Sequence, residues 1–323
     1  MQNFPLPRID LHSELHKLLL PYCRLLKGDT WIDTSKKHKV GCFNAEDTPA
    51  IRSFLKSKKA TLAIQDPPYN FVAFQERNVD EFIKWSKLWI ENTEKILDEN
   101  CSLYIWLGAD QNNHFQPLPE FMMMMSKSSF KSKSFITMRN QRGYGTQKNW
   151  MAIRQELLYY TKGNPVFNVN AEYTDIPKVL RGYYKTINGK STENFERSKS
   201  ENIRAGNVWV DVQQVFYRME ENVNGCYAQK PLKSIARIIE ASSKENDIVV
   251  DLFAHSGTTL LACEQTGRKC YTIDADPVFC EIVIRRLEHF RKTGKTGWQN
   301  GNPFELEISK DNKLKKYLNS IGK

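Results

Sequence analysis

Short apolar runs alternate along most of this chain with longer segments in which apolar side chains recur every three or four positions. The runs at 61–65, 102–107, 134–138, 157–161, 248–253 and 270–273 predict strands. Between the first two, Phe82, Trp85, Leu88, Trp89 and Ile96 mark one face of a helix. A second helix opens at Pro231 and places Ile235, Ile238 and Ile239 on one face; a third runs over 258–265 and stops at Gly267. Leu11, Leu15, Leu18, Leu19 and Tyr22 predict an amphipathic helix over 11–25. Strands alternating with helices predict an α/β fold with a largely parallel sheet covered on both faces.

Four stretches stand apart from this rhythm. Lys36-Lys37-His38-Lys39 reads as a solvated loop, and 121–125 is the longest apolar run, far too short to span a bilayer. The segment 163–206 is polar and without sustained period. It mixes Lys178, Arg181, Lys185, Lys190, Arg197, Lys199 and Arg204 with Tyr173, Tyr183, Tyr184 and Phe195. Such a stretch is either a solvated insertion or a surface that offers phosphate contacts and stacking rings to nucleic acid. From 305 onward, Lys310, Lys313, Lys315 and Lys316 suggest a loosely held basic tail.

Composition adds a partner class. The chain has 323 residues, is 40% hydrophobic and carries a formal net charge of +10. It is long enough for one large domain with an insert or two modest ones, and basic enough to favour an acidic partner, nucleic acid first. Seven cysteines without a CxxC pair read as reduced, mostly buried thiols of a cytoplasmic protein, and no metal site is indicated. The N-terminus shows no apolar stretch of a signal peptide.

Two motifs carry chemistry. Asp66-Pro67-Pro68-Tyr69-Asn70 directly follows the strand 61–65. Two prolines stiffen the turn and remove two N–H donors, so it presents acceptors only: the Asp66 carboxylate and the Pro67 carbonyl, with the Tyr69 ring beside them. An exocyclic amino group needs acceptors for its hydrogens and a ring to stack on, and such a turn provides both. The second motif, Asp251-Leu252-Phe253-Ala254-His255-Ser256-Gly257-Thr258, links an apolar strand to a helix. Asp274 ends the next strand, where a carboxylate can bind ribose hydroxyls. Alone this second motif would fit a nicotinamide dinucleotide, but the GxGxxG of that class is absent.

Together the motifs resemble the DNA amino-methyltransferases of the β arrangement, in which DPPY precedes the cofactor motif. The resemblance covers about residues 38–292 and includes Trp150, 156–162, Asn207-Val208-Trp209 and Gln229-Lys230-Pro231, which matches the family's QKP element. It implies a Rossmann-like methyltransferase fold, a mixed, mostly parallel sheet with a target-recognition insertion. The implied division is an N-terminal helical extension (1–37), a catalytic half (38–162), the insertion (163–206), a cofactor half (207–304) and the basic tail (305–323). A strand near 38–43 should supply the third strand of the cofactor half, followed by an acidic residue near the cofactor adenine, Glu46 or Asp47.

The implied reaction is transfer of a methyl group from S-adenosyl-L-methionine to N6 of an adenine flipped out of double-stranded DNA. Asp66, Pro67, Pro68 and Tyr69 would form the catalytic turn. Asp251, Phe253 to Thr258, Asp274, Gln229 to Pro231 and Glu46 would bind the cofactor, with Gln229-Lys230-Pro231 at its methionine end. Phe71 and Trp150 read better as packing residues, and the loop 139–150 would help to build the DNA cleft. N4-cytosine or RNA methylation, or a catalytically silent nucleic-acid-binding subunit, remain open, as do a homodimer and a cognate restriction endonuclease as partners. The chain departs from the family at His255, which stands where F-x-G-x-G has glycine. A side chain there either crowds the methionine moiety or, at negative φ, turns outward.

Overall fold

A computed structural model describes residues 6–68, 78–110, 113–146, 149–168, 173–177, 183–194, 201–216 and 219–321. Its centre is a nine-stranded sheet. From one edge to the other run β1 (Thr30–Ile32), β2 (Lys39–Cys42), β13 (Lys269–Asp274), β12 (Ile248–Asp251), β3 (Ala60–Gln65), β4 (Leu97–Trp106), β6 (Asn149–Lys162), β5 (Lys131–Thr146) and β11 (Val208–Trp209). The five strands from β2 to β4 are parallel, with Val40 opposite Thr272 and Val250 opposite Ala63. β6 runs antiparallel to both β4 and β5. The N-terminal strand β2 docks beside β13, as the resemblance implied, so a chain segment some 230 positions away extends the parallel part of the sheet.

The central positions of the parallel strands are mostly apolar and buried because helices cover both faces. Leu62, Ile64 and Val249 face α5 (Leu232–Ser242), α6 (Thr258–Thr266) and α7 (Pro277–Thr293). Ala63, Leu103 and Val250 face α2 (Thr48–Leu55), α3 (Val79–Ile96) and α4 (Leu118–Met125). Helix ends follow local chemistry: the Asn78 side chain accepts the Glu81 N–H at the start of α3, and Gly267 at φ +75° closes α6.

Several expectations need correction. The 305–323 segment is no loose tail: it forms α8 (Glu305–Lys310) and α9 (Asn312–Ile321), whose Ile308, Leu314 and Leu318 are buried. They pack with Ile9, Leu15 and Leu19, which lie on or beside α1 (Ser13–Leu19), and with Val278 and Ile282 of α7, as a third core. The predicted helix over 11–25 is reduced to α1 between two 3-10 turns, the second beginning just before Pro21. The 1–37 extension also contributes β1 to the sheet. In the lysine cluster His38 is fully buried, accepting the Cys270 N–H and bonded to Glu264. The stretch 139–150 is no separate loop, since β5 and β6 extend through most of it as one long hairpin, and Trp150 there is 90% exposed where a packing residue would be buried.

Within 163–206 the described residues form two small antiparallel pairs. These are β7 (Tyr173–Pro177) with β10 (Asn202–Arg204), and β8 (Tyr183–Ile187) with β9 (Lys190–Asn194). Lys178, Arg181, Phe195, Arg197 and Lys199 lie outside the described residues, as do Tyr69 and Phe71. Five of the seven cysteines are buried and Cys23 and Cys226 half-buried. No helix among the described residues is long and apolar enough to cross a membrane.

Candidate active site at the carboxyl end of the sheet

β3 and β12 are neighbours in the sheet and point the same way, so the DPP turn and the cofactor-type loop emerge side by side. Gln65, the last residue of β3, ties them together: its buried side-chain oxygen accepts the Leu252 N–H at 2.9 Å. Asp66 follows, half-buried, with Pro67 buried and Pro68 half-buried behind it. The Lys230 ammonium donates to both Asp66 oxygens, at 2.9 and 2.8 Å, and lies 5.4 Å from the centre of the Trp106 ring. Burial raises the Asp66 carboxyl above its ordinary value while Lys230 pulls it back.

The second loop is pinned from several sides. The Phe253 N–H bonds to Asp251, the Ala254 N–H to the Ile273 carbonyl, and the His255 N–H to Asp274 at 2.8 Å. Phe253 meets Trp85 and Trp89 of α3 edge to face. Gly257 sits at φ +76°, and a Cβ there would come within 3.1 Å of the Val283 backbone. Any side chain there is strained by φ and crowds α7. His255 has φ +44°, so the outward turn expected at negative φ does not occur; its ring lies 4.9 Å from that of Phe279 at the start of α7.

Arg286 gave no sequence signal, being a lone cation in the apolar face of α7. It is fully buried and donates to the Ser256, Thr296 and Glu221 carbonyls and to the Thr258 hydroxyl. It thereby joins the loop before α6 to the segment before α5. Gln229 acts within that segment, accepting the Val223 N–H and donating to the Glu221 carbonyl, and Pro231 caps α5. Of the two acidic residues after β2, Asp47 caps α2 by accepting the Ala50 N–H, and Glu46 is exposed.

Residues 60–285, most of the chain, match the family model for N6/N4-type DNA methylases. The chain belongs to this DNA methylase family. It is 29% identical over 276 residues to the Type II methyltransferase M1.MboII of Moraxella bovis, which covers 80% of this chain and 99% of that protein. To the DNA adenine methyltransferase YhdJ of Escherichia coli K12 it is 29% identical, over 72% of this chain and 78% of that one. Among solved structures, the M1.HpyAVI–SAM complex superposes with a TM-score of 0.53 at 19% identity, covering 77% of this chain and 98% of that one. The cytosine-N4-specific PvuII DNA methyltransferase does so at 0.55 and 14%, covering 77% and 85%. The fold is the Rossmann-like methyltransferase fold.

This DNA methyltransferase uses S-adenosyl-L-methionine, and the chemistry of the pocket fits that group. Asp251 at the end of β12 and Asp274 at the end of β13 flank the loop 253–258, while Lys230 is paired with Asp66 beside them. Burial pushes both Asp251 and Asp274 up to about 7, and pushes His255 down to about 4, so that its ring is neutral near pH 7. A cradle with surplus carboxylates, whose ionisation is resisted by burial, suits a ligand bearing a sulfonium and an ammonium.

Proposed function

We propose that this DNA methyltransferase methylates N6 of an adenine flipped from double-stranded DNA. The observation that carries the reading is the position of Asp66 and Pro67 at the end of β3, beside the loop 252–257 at the end of β12. Two acceptors for an amine thus stand next to the loop proposed to hold the methyl donor. Asp66 and the Pro67 carbonyl accept the two N6 hydrogens, and Tyr69 stacks on the base. Both hydrogen bonds draw the nitrogen towards sp³ geometry and free its lone pair for attack. Bound S-adenosyl-L-methionine supplies an electrophilic methyl group on its sulfonium. The N–C bond forms as the S–C bond breaks, and the proton shed by N6 leaves past Asp66. Phe253 to Thr258, with Asp251 and Asp274, hold the donor.

The choice of adenine is supported by the DPPY tetrapeptide, which in this family usually accompanies adenine, and by the relative YhdJ, named as an adenine enzyme. The segment 163–206 and the β5–β6 hairpin, with Trp150 exposed, form the DNA-recognition surface. Relatives named as Type II enzymes support a cognate restriction endonuclease as partner. The test is nucleoside mass spectrometry of DNA from a methylation-deficient host expressing the protein. N6-methyldeoxyadenosine is expected; N4-methyldeoxycytidine as the main product would overturn the base assignment.

A further inference from the structure

The QKP element is assigned by resemblance to the methionine end of the cofactor, but its lysine is oriented elsewhere. Lys230 is 5% exposed, and its ammonium sits 2.8–2.9 Å from both Asp66 oxygens. It is delivered there by rigid neighbours. Gln229 is hydrogen-bonded at both ends of its amide to residues 221–223, and Pro231 begins α5. The Trp106 ring at the end of β4 closes the other side of the ammonium.

We propose that Lys230 is a positioning residue for the methyl-transfer site: the counter-ion that keeps the Asp66 carboxylate ionised and aimed, and not a cofactor ligand. Its catalytic consequence rests on the methyl-transfer reading above; the ion pair itself does not. A carboxyl shielded from water takes up a proton unless an opposite charge stands beside it, and a protonated Asp66 would present a donor where the target amine needs an acceptor. A bidentate ammonium also fixes the carboxylate's rotamer. Among the described residues the other titratable groups facing the pair are Asp251 at the end of β12, which interacts electrostatically with Asp66, and His255 in the loop before α6, which interacts with Lys230.

The test compares Lys230→Met with Lys230→Arg in the full-length protein. Carboxyl ¹³C NMR of the cofactor-free protein reads the Asp66 titration, which should move up by about one to three pH units in Lys230→Met and largely return in Lys230→Arg. In single-turnover methylation at saturating cofactor and DNA, the acid limb of the rate should move up by the same amount. The cofactor Kd should change by less than about threefold. An Asp66 titration that stays in place in a folded Lys230→Met protein overturns the proposal, as does a cofactor Kd that rises in step with the loss of rate. If the wild-type protein methylates no DNA, the methyl-transfer reading falls, and the NMR titration still decides the ion pair.

Discussion

Gln65 and Leu252 are 187 positions apart, yet the side-chain oxygen of one accepts the backbone N–H of the other at 2.9 Å in the fully buried centre of the sheet. This single bond sets the DPP turn against the loop 252–257. Replacing Gln65 by leucine keeps the volume but leaves the Leu252 N–H unpaired, a loss of about 1–3 kcal/mol. Chemical denaturation should report that destabilisation, and methyl transfer should fall further than stability alone explains. Unchanged activity would show that the two loops keep their spacing without it.

Asp66→Ala should reduce methyl transfer by about 10²–10³-fold, because it removes a preorganised charged acceptor for the target amine. Cofactor affinity should change little, since Asp251, Asp274 and the pinned loop 253–258 are untouched. Isothermal titration with S-adenosyl-L-methionine beside a single-turnover assay separates the two effects. Parallel losses would show that Asp66 is part of the cofactor pocket.

The central strands were legible as apolar runs, α3 and α5 from one apolar face, and α6 from its stop at Gly267. The position of β2 followed from the family's connectivity and not from its four residues. Edge strands β1 and β11, of three and two residues, carry no readable period. The site was half legible. Asp66, Asp251 and Asp274 stand at strand ends, where a local motif reveals them. Lys230 faces Asp66 across 164 positions, and Arg286 reaches four acceptors from inside an apolar helix face; neither relation has a local signature. The C-terminal helices did have one: Leu314 and Leu318 recur at helical spacing, but the lysines around them read as a solvated run.

Leu314 is fully buried in the third core, between the N- and C-terminal helices. Leu314→Ala should therefore cost about 2–5 kcal/mol, as a cavity in a packed core does. A truncation that ends at Phe304 should lower the melting temperature further, because Ile308 and Leu318 leave with it. A basic tail without structural work would show neither change in a thermal melt.

Replacing Lys185, Lys190 and Arg204 with glutamine should weaken DNA binding and flatten its salt dependence by about 0.9 slope units for each phosphate that is no longer neutralised. Trp150→Ala should weaken binding without changing that slope, since a ring contributes stacking and no counter-ion release. Fluorescence anisotropy across a salt series distinguishes them. Binding that survives all four changes would place recognition outside this surface.

Cofactor affinity should rise with pH through neutrality. Burial raises the carboxyls of Asp251 and Asp274 to about 7 in the free protein, and a cationic ligand binds the ionised forms. At pH 6 such a carboxyl is about one-tenth ionised, and at pH 7.5 about three-quarters, so each linked group strengthens binding about eightfold over that interval. The sign is opposite to that of a histidine switch. His255, pushed down to about 4, stays neutral across the window. The ligand's own α-amino group, ordinarily near 7.7–8.0, has begun to lose its proton by pH 7.5, so the trend is to be read below about pH 7. Asp274→Asn should remove one carboxylate's share, lowering affinity at pH 7.5 and flattening the pH dependence. It keeps one side-chain oxygen for the His255 N–H and gives up the acceptor of the Asp276 N–H, so a thermal melt beside the titration checks that the loop holds. Calorimetry in two buffers of different ionisation enthalpy measures the protons released on binding. Release near pH 7 is expected, and none at all would mean that neither carboxylate ionises on cofactor binding.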